Sequence, residues 1–163
     1  MTSMQSAAAV TEVRALYTPQ ERVRRDQTVW TLVQGILAPL QFVVFLVSLA
    51  LVCRFFYNGE GFELATWSVL TKTAVLYLIM ITGAIWEKVV FGRYLFAPAF
   101  FWEDVVSMLV IALHSLYLWV WWQGIWPERL QMGLAHAAYA SYLINAIQFL
   151  LKLRLARLQG AAA

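Results

Sequence analysis

The chain has 163 residues, 62% of them hydrophobic and only 13% charged, about half the charged share of a typical soluble domain, and its mean hydropathy is +0.67. That balance excludes a water-soluble globule and places the chain in a membrane. The net charge of +3 and pI near 9.2 then reflect membrane topology and lipid headgroups and give no reason to expect a nucleic-acid partner.

In chain order, residues 1–28 read as a cytoplasmic N-terminal segment, with a frayed tail over residues 1–13. They lack the short apolar stretch and small-residue cleavage site of a signal peptide, so the first span is expected to be retained. Four apolar runs follow, at about 29–53, 64–86, 105–122 and 130–151, each near the roughly 20 residues that cross a hydrocarbon core. Backbone polar groups in lipid must be satisfied within each helix, so the expectation is an all-α, four-helix transmembrane bundle over 29–158 with a short tail at 159–163. Pro39 should kink the first span. The pair of glycines in Gly59-Glu60-Gly61 reads as a turn, since no strand and helix pattern for phosphate surrounds it.

Orientation follows from the basic residues, which are retained on the cytoplasmic side. Arg14, Arg22, Arg24, Arg25, Lys88, Arg93, Lys152, Arg154 and Arg157 fall on one side, against Arg54 and Arg129 on the other. This asymmetry puts both termini in the cytoplasm. Trp30, Trp86 and Trp102 would mark the inner interface, and Tyr57, Trp67, Trp119, Trp121, Trp122 and Trp126 the outer one.

The single cysteine, Cys53, excludes an intramolecular disulfide and a cysteine metal cluster. Polar residues within the spans fall into stripes. Glu103, Ser107, Val110, His114, Tyr117 and Trp121 share one face of the third span, Ser141, Asn145, Gln148 and Lys152 one face of the fourth, and Gln34, Gln41 and Ser48 one face of the first. On the first and fourth spans such stripes are accounted for by interhelical hydrogen bonds. Lys72, some two turns into the second span, could snorkel outward, pair with Glu63 or serve a function.

The densest chemistry lies between the second and third spans, where Glu87, Lys88, Arg93, Glu103 and Asp104 gather at a membrane boundary. Ionisable groups in or beside apolar spans stand there for chemistry, partners or anchoring. Glu103 and Asp104 could instead do no more than cap the third span, and Lys88 could be a snorkelling interfacial lysine. The two histidines do not suit a shared haem. His114 lies about 16 Å from Glu103 along its helix and His136 about 24 Å from Lys152, at 1.5 Å per residue, so their depths differ.

The runs Trp30 to Gly35, Ala38 to Phe42, Thr82-Gly83-Ala84-Ile85-Trp86-Glu87-Lys88, Tyr94 to Asp104 and Tyr142-Leu143-Ile144-Asn145 resemble the 3-vinyl bacteriochlorophyllide hydratase family of phototrophic bacteria, over about Tyr17 to Leu158. The resemblance implies addition of water to the 3-vinyl group of a chlorophyllide or bacteriochlorophyllide, giving the 3-(1-hydroxyethyl) pigment. It implies a bacterial inner membrane, cytoplasmic or intracytoplasmic, with membrane lipid and other pigment-biosynthesis enzymes as neighbours. No redox cofactor and no protein-bound metal is expected.

Hydration needs a neutral acid, a base for the water proton and a flat apolar slot. A carboxyl desolvated among Trp86, Phe100, Phe101 and Trp102 could hold its proton at neutral pH and serve as the acid. The residues expected to converge on the vinyl group are Glu87, Glu103, Asp104 and His114, with His114 or His136 as a ligand of the pigment magnesium and Lys88 or Arg93 on its propionate. Pro98 and the aromatics of the Phe91 to Trp102 connection should fold back to floor the slot. The rival reading is a non-enzymatic chlorin-binding or assembly protein, in which the carboxylates only cap helices.

Overall fold

The computed structural model describes residues 16–161 as five helices: α1 (Pro19–Gln27), α2 (Val29–Asn58), α3 (Phe62–Phe91), α4 (Phe101–Gln123) and α5 (Glu128–Ala161). The expected tail over residues 1–13 lies outside the described residues, as do the last two of the C-terminal tail. α2 to α5 are each long and apolar enough to cross a membrane, and each extends beyond the apolar run at its heart. Their outward side chains are large and apolar, Leu32, Ile36, Val43, Ile81, Leu109 and Leu150 among them. A chain whose helices are apolar around most of their circumference belongs in lipid.

α1 was no part of the expected architecture. It starts with a capping box in which the Thr18 hydroxyl accepts from Glu21 N–H at 3.2 Å and the Glu21 carboxylate accepts from Thr18 N–H at 2.8 Å, with Pro19 at the first helical position. Thr28 ends it and caps α2 in turn, accepting from Trp30 N–H. Arg24 reaches across to donate to the Val90 carbonyl at 2.8 Å, fastening α1 to the end of α3.

The spanning helices pair as two hairpins. α2 packs along α3 and α4 along α5, while the hairpins meet each other through long side chains more than through close backbone approach. Each hairpin turns on a left-handed glycine, Gly59 at φ 74° and Gly124 at φ 64°, a conformation that a side chain would strain. Along the seam between hairpins lie Phe45, Tyr139 and Tyr142, with Phe45 to Tyr142 ring centroids 4.8 Å apart, and the Ser48 hydroxyl joins Ser68 and Tyr139. Tyr77 and Ser115 bond across the seam at 2.6 Å.

The helix faces depart from expectation in places. α4 buries Glu103, Asp104, Ser107, Val110, His114, Tyr117 and Val120, so Trp121 leaves the expected face and Val120 occupies it, a one-residue rotation at the last turn. Ser141, Asn145, Gln41 and Ser48 are buried as their stripes require. Gln34 bonds to Thr82 at 2.7 Å. Lys72 neither snorkels nor meets Glu63: it is 0% exposed, with its ammonium 3.8 Å over the Tyr142 ring.

Candidate active site

The end of the bundle that holds α1 and the α3–α4 connection brings two carboxyl groups into contact. Glu87 comes from the last turn but one of α3 and Asp104 from the first turn of α4, so an acid from each hairpin reaches the seam at one depth. Their side chains are close enough to influence one another, and both are buried, at 5% and 2% exposed. Two carboxyls held close together away from water are accommodated most readily with one proton between them. Among the described residues neither enters an ion pair.

The connection, residues 92–100, supplies the remaining partners. Phe96 N–H donates to Asp104 Oδ2 at 2.7 Å and Ala97 N–H to Glu87 Oε2 at 3.3 Å. Phe96 takes φ 58°, the one non-glycine residue with positive φ among those described. Such backbone is uncommon and persists where surroundings enforce it; here the bond to Asp104 does so. The connection folds back on the bundle only in part: Ala97 and Phe100 are buried, and Phe100 contacts Trp86, Phe91 and Phe149 at ring distances of 5.7 to 5.9 Å, but Pro98, Tyr94 and Phe96, expected to fold back with them, are exposed. Tyr17 completes this cluster, stacked on Phe91 at 5.7 Å beneath the Arg25 guanidinium. Burial pushes the Tyr17 phenol up from its usual value, against a smaller opposing pull from Arg25, so it remains a neutral aromatic wall.

The other sequence-derived candidates are placed differently. Glu103 is one residue from Asp104 but turns to α5, meeting Lys152 at 3.2 Å, while its backbone carbonyl accepts from Ser107 and Asn145. No side chain caps the start of α4, so the helix-cap reading of Glu103 and Asp104 does not describe their contacts. His114 is ten residues beyond Asp104, about 15 Å deeper along α4 at 1.5 Å per residue, too far to share a proton with the carboxyl pair. Trp86 lies inside, donating to Thr31 Oγ1 at 2.9 Å, but Trp102 is 69% exposed and Phe101 also faces outward, so neither walls the carboxyls. Lys88 folds onto the Gly92 carbonyl at 2.8 Å and Tyr94, and Arg93 is exposed nearby. His136 sits toward the opposite end, its ring 4.9 Å from Phe56 and its Nε2 3.6 Å from Cys53 Sγ. Among the described residues no group of three or more His, Cys, Asp or Glu side chains could hold a metal ion.

Sequence reasoning missed the backbone amides of Phe96 and Ala97, for which a connection without glycine or asparagine at the positive φ gives no signal. It also missed α1, whose capping box Thr18-Pro19-Gln20-Glu21 was legible.

Residues 17–155 match the family described as 2-vinyl bacteriochlorophyllide hydratase. A 2-vinyl bacteriochlorophyllide hydratase of Rhodobacter capsulatus is 67% identical over 149 residues, covering 91% of this chain and 86% of the relative. One of Cereibacter sphaeroides is 63% identical over 160 residues, covering 98% and 99%. No solved structure matches the chain. On identity of this extent the chain belongs to the 2-vinyl bacteriochlorophyllide hydratase family, the 2-vinyl wording being a naming variant of 3-vinyl.

Proposed function

We propose that Glu87 and Asp104 share one proton and use it to add water across the vinyl group of a bacteriochlorophyllide. The chain is a hydratase of bacteriochlorophyll biosynthesis, so its reaction turns R–CH=CH2 and water into R–CH(OH)–CH3. The observation that carries the residue assignment is the buried carboxyl pair bridging the two hairpins without a cation on either member.

The chemistry follows from that pair. The protonated member delivers its proton to the terminal CH2, forming a C–H bond and leaving a cation on the adjacent carbon, delocalised into the macrocycle. Water adds to that carbon and gives up a proton to the pair, which ends with the single proton it began with. No electrons are exchanged. Each acid or base step of this kind contributes about 10² to 10⁴ in rate. The amides of Phe96 and Ala97 fix the remaining oxygens, so the pair is oriented before substrate arrives. Glu103 serves as a tie between α4 and α5 through Lys152.

The test is hydration of the vinyl pigment in ¹⁸O-labelled water, followed by mass analysis. Wild-type protein should add one labelled hydroxyl. Glu87→Gln and Asp104→Asn should each lose at least about 10² in turnover while remaining folded. Near wild-type rates in both would remove the pair from the mechanism.

The same reading extends to placement. The asymmetry of Lys and Arg supports an orientation with both termini cytoplasmic, in the bacterial inner or intracytoplasmic photosynthetic membrane, with the carboxyl pair near its cytoplasmic face. Labelling of Gly160→Cys by an impermeant reagent from the periplasmic side of intact cells would reverse that orientation.

A further inference from the structure

Glu87 stands on one hairpin and Asp104 on the other, and the hairpins meet through side chains more than through close backbone approach. Something besides α3–α4 packing must fix where Asp104 stands. Its helix begins without a side-chain cap, and the first turn of an uncapped helix frays. The grip comes from α5. Asn145 Nδ2 donates to the Glu103 carbonyl at 2.9 Å, while Ser107 Oγ donates to the same carbonyl at 2.8 Å and lies 3.1 Å from Asn145 Oδ1. All three residues are buried.

The group that is gripped is the peptide leading into Asp104. The Glu103 carbonyl and the Asp104 N–H belong to one rigid plane, so whatever holds the carbonyl holds the Asp104 backbone as well. On its other side the Asp104 N–H donates to the Phe100 carbonyl at 2.9 Å. A carbonyl only accepts, so the nitrogen of the Asn145 amide faces Glu103 and its oxygen is left to the Ser107 hydroxyl. The amide therefore has one orientation. Within an α-helix the Glu103 carbonyl already receives the amide four residues on, so two further donors exceed what its own satisfaction asks. Nor does the joining of α4 to α5 depend on this peptide, since the two helices pack along each other and Lys152 already meets the Glu103 side chain.

We propose that Asn145, oriented by Ser107, is a positioning residue of the hydration: it pins the Glu103–Asp104 peptide to α5 and thereby holds the Asp104 carboxyl beside Glu87. This rests on the hydratase reading of that pair. Asn145 has its hydrogen bonds with Ser107 and a backbone carbonyl, so it acts through Asp104 and not on the substrate. Misplacing a reacting group by about 1 Å can lose about 10² in rate, whereas an intramembrane hydrogen bond adds only modestly to stability. The effect of Asn145 therefore falls on turnover first. Lys152 differs in kind, because it holds Glu103 by the end of a flexible side chain and leaves the backbone free to shift.

The experiment compares purified full-length Asn145→Leu and Lys152→Met with wild type on the vinyl pigment, reading kcat, KM and the pH profile of kcat on protein shown folded by its unfolding midpoint. Asn145→Leu keeps the size and removes both hydrogen bonds. Its kcat should fall at least about 10-fold with KM within about 2-fold of wild type. Its pH profile should narrow, since two carboxyls that drift apart lose their coupling. Lys152→Met, which loses the other tie to α5, should leave that profile in place. In an Asp104→Asn background Asn145→Leu should add little further loss, because the group it positions is already disabled. A wild-type kcat and profile in folded Asn145→Leu, an equal narrowing in Lys152→Met, or a full further loss in the Asp104→Asn background overturns the proposal. Should Asn145→Leu not fold, Ser107→Ala decides by the same readout, a narrowed profile supporting the proposal and an unchanged one overturning it. Failure of the carboxyl pair looks different, for Asp104→Asn by itself would then keep wild-type turnover.

Discussion

The two polar clusters of the seam are equally buried and oppositely provisioned. At the α1 end Glu87 and Asp104 each accept a hydrogen bond from within the chain, from the amides of Ala97 and Phe96. In mid-seam Lys72 Nζ and His114 Nε2 have no hydrogen-bond partner, the ammonium resting on the Tyr142 ring and the imidazole held only through Nδ1 by the Val110 carbonyl. Burying a polar group without a partner costs about 1–3 kcal/mol, more for a charge. The first cluster is held in place by its own chain, while the second carries that cost in the fold itself.

The largest effect that can break this contrast is on turnover. Combining Glu87→Gln with Asp104→Asn should cost little more than either alone, because one shared proton is lost in every case. Steady-state rates on the vinyl pigment measure this, and fully multiplicative losses would mean that the two acids act separately. Next comes the tie beside the pair. Lys152→Met strands the Glu103 carboxylate and should destabilise the protein by about 1–3 kcal/mol, seen as a lower unfolding midpoint in detergent. Turnover of the surviving folded protein should fall less than about 10-fold, well below the smallest acid or base contribution of about 10²; a loss as large as that of Glu87→Gln would make Glu103 part of the chemistry. The smallest effect is at α1. Thr18→Ala removes the capping box and should cost about 1 kcal/mol, confined to that helix and read by local hydrogen exchange of its amides, with the seam unchanged.

The membrane class and the four spans were legible because lipid imposes one rule on long apolar runs. The meeting of Glu87 and Asp104 was legible for a related reason: one ends α3, the other begins α4, and a short apolar connection must bring those ends together. Glu103 was not separable from Asp104 by sequence, since the choice of partner depends on Lys152, almost fifty residues away on α5. The separation of His114 from the carboxyls was calculable from the helix rise, at about 16 Å from Glu103, yet their common helix face led to its being grouped with them. Trp121 shows the limit of periodicity, where a small rotation at the final turn exchanges it for Val120. Lys72 was misjudged because a long cationic side chain in a span ordinarily reaches for water, and the π face of Tyr142 holds it inside instead.

The glycine turns at Gly59 and Gly124 bear on how such a molecule is made. Each closes a helical hairpin that satisfies its own backbone, so α2–α3 and α4–α5 can enter the bilayer as separate units while synthesis is under way. The seam is then the last surface to form, and Glu87 with Asp104 is one of the fasteners that close it. Biogenesis and chemistry thereby meet at one place: the carboxyl pair that lies where the second hairpin docks against the first is the pair to which the proposed hydration is assigned.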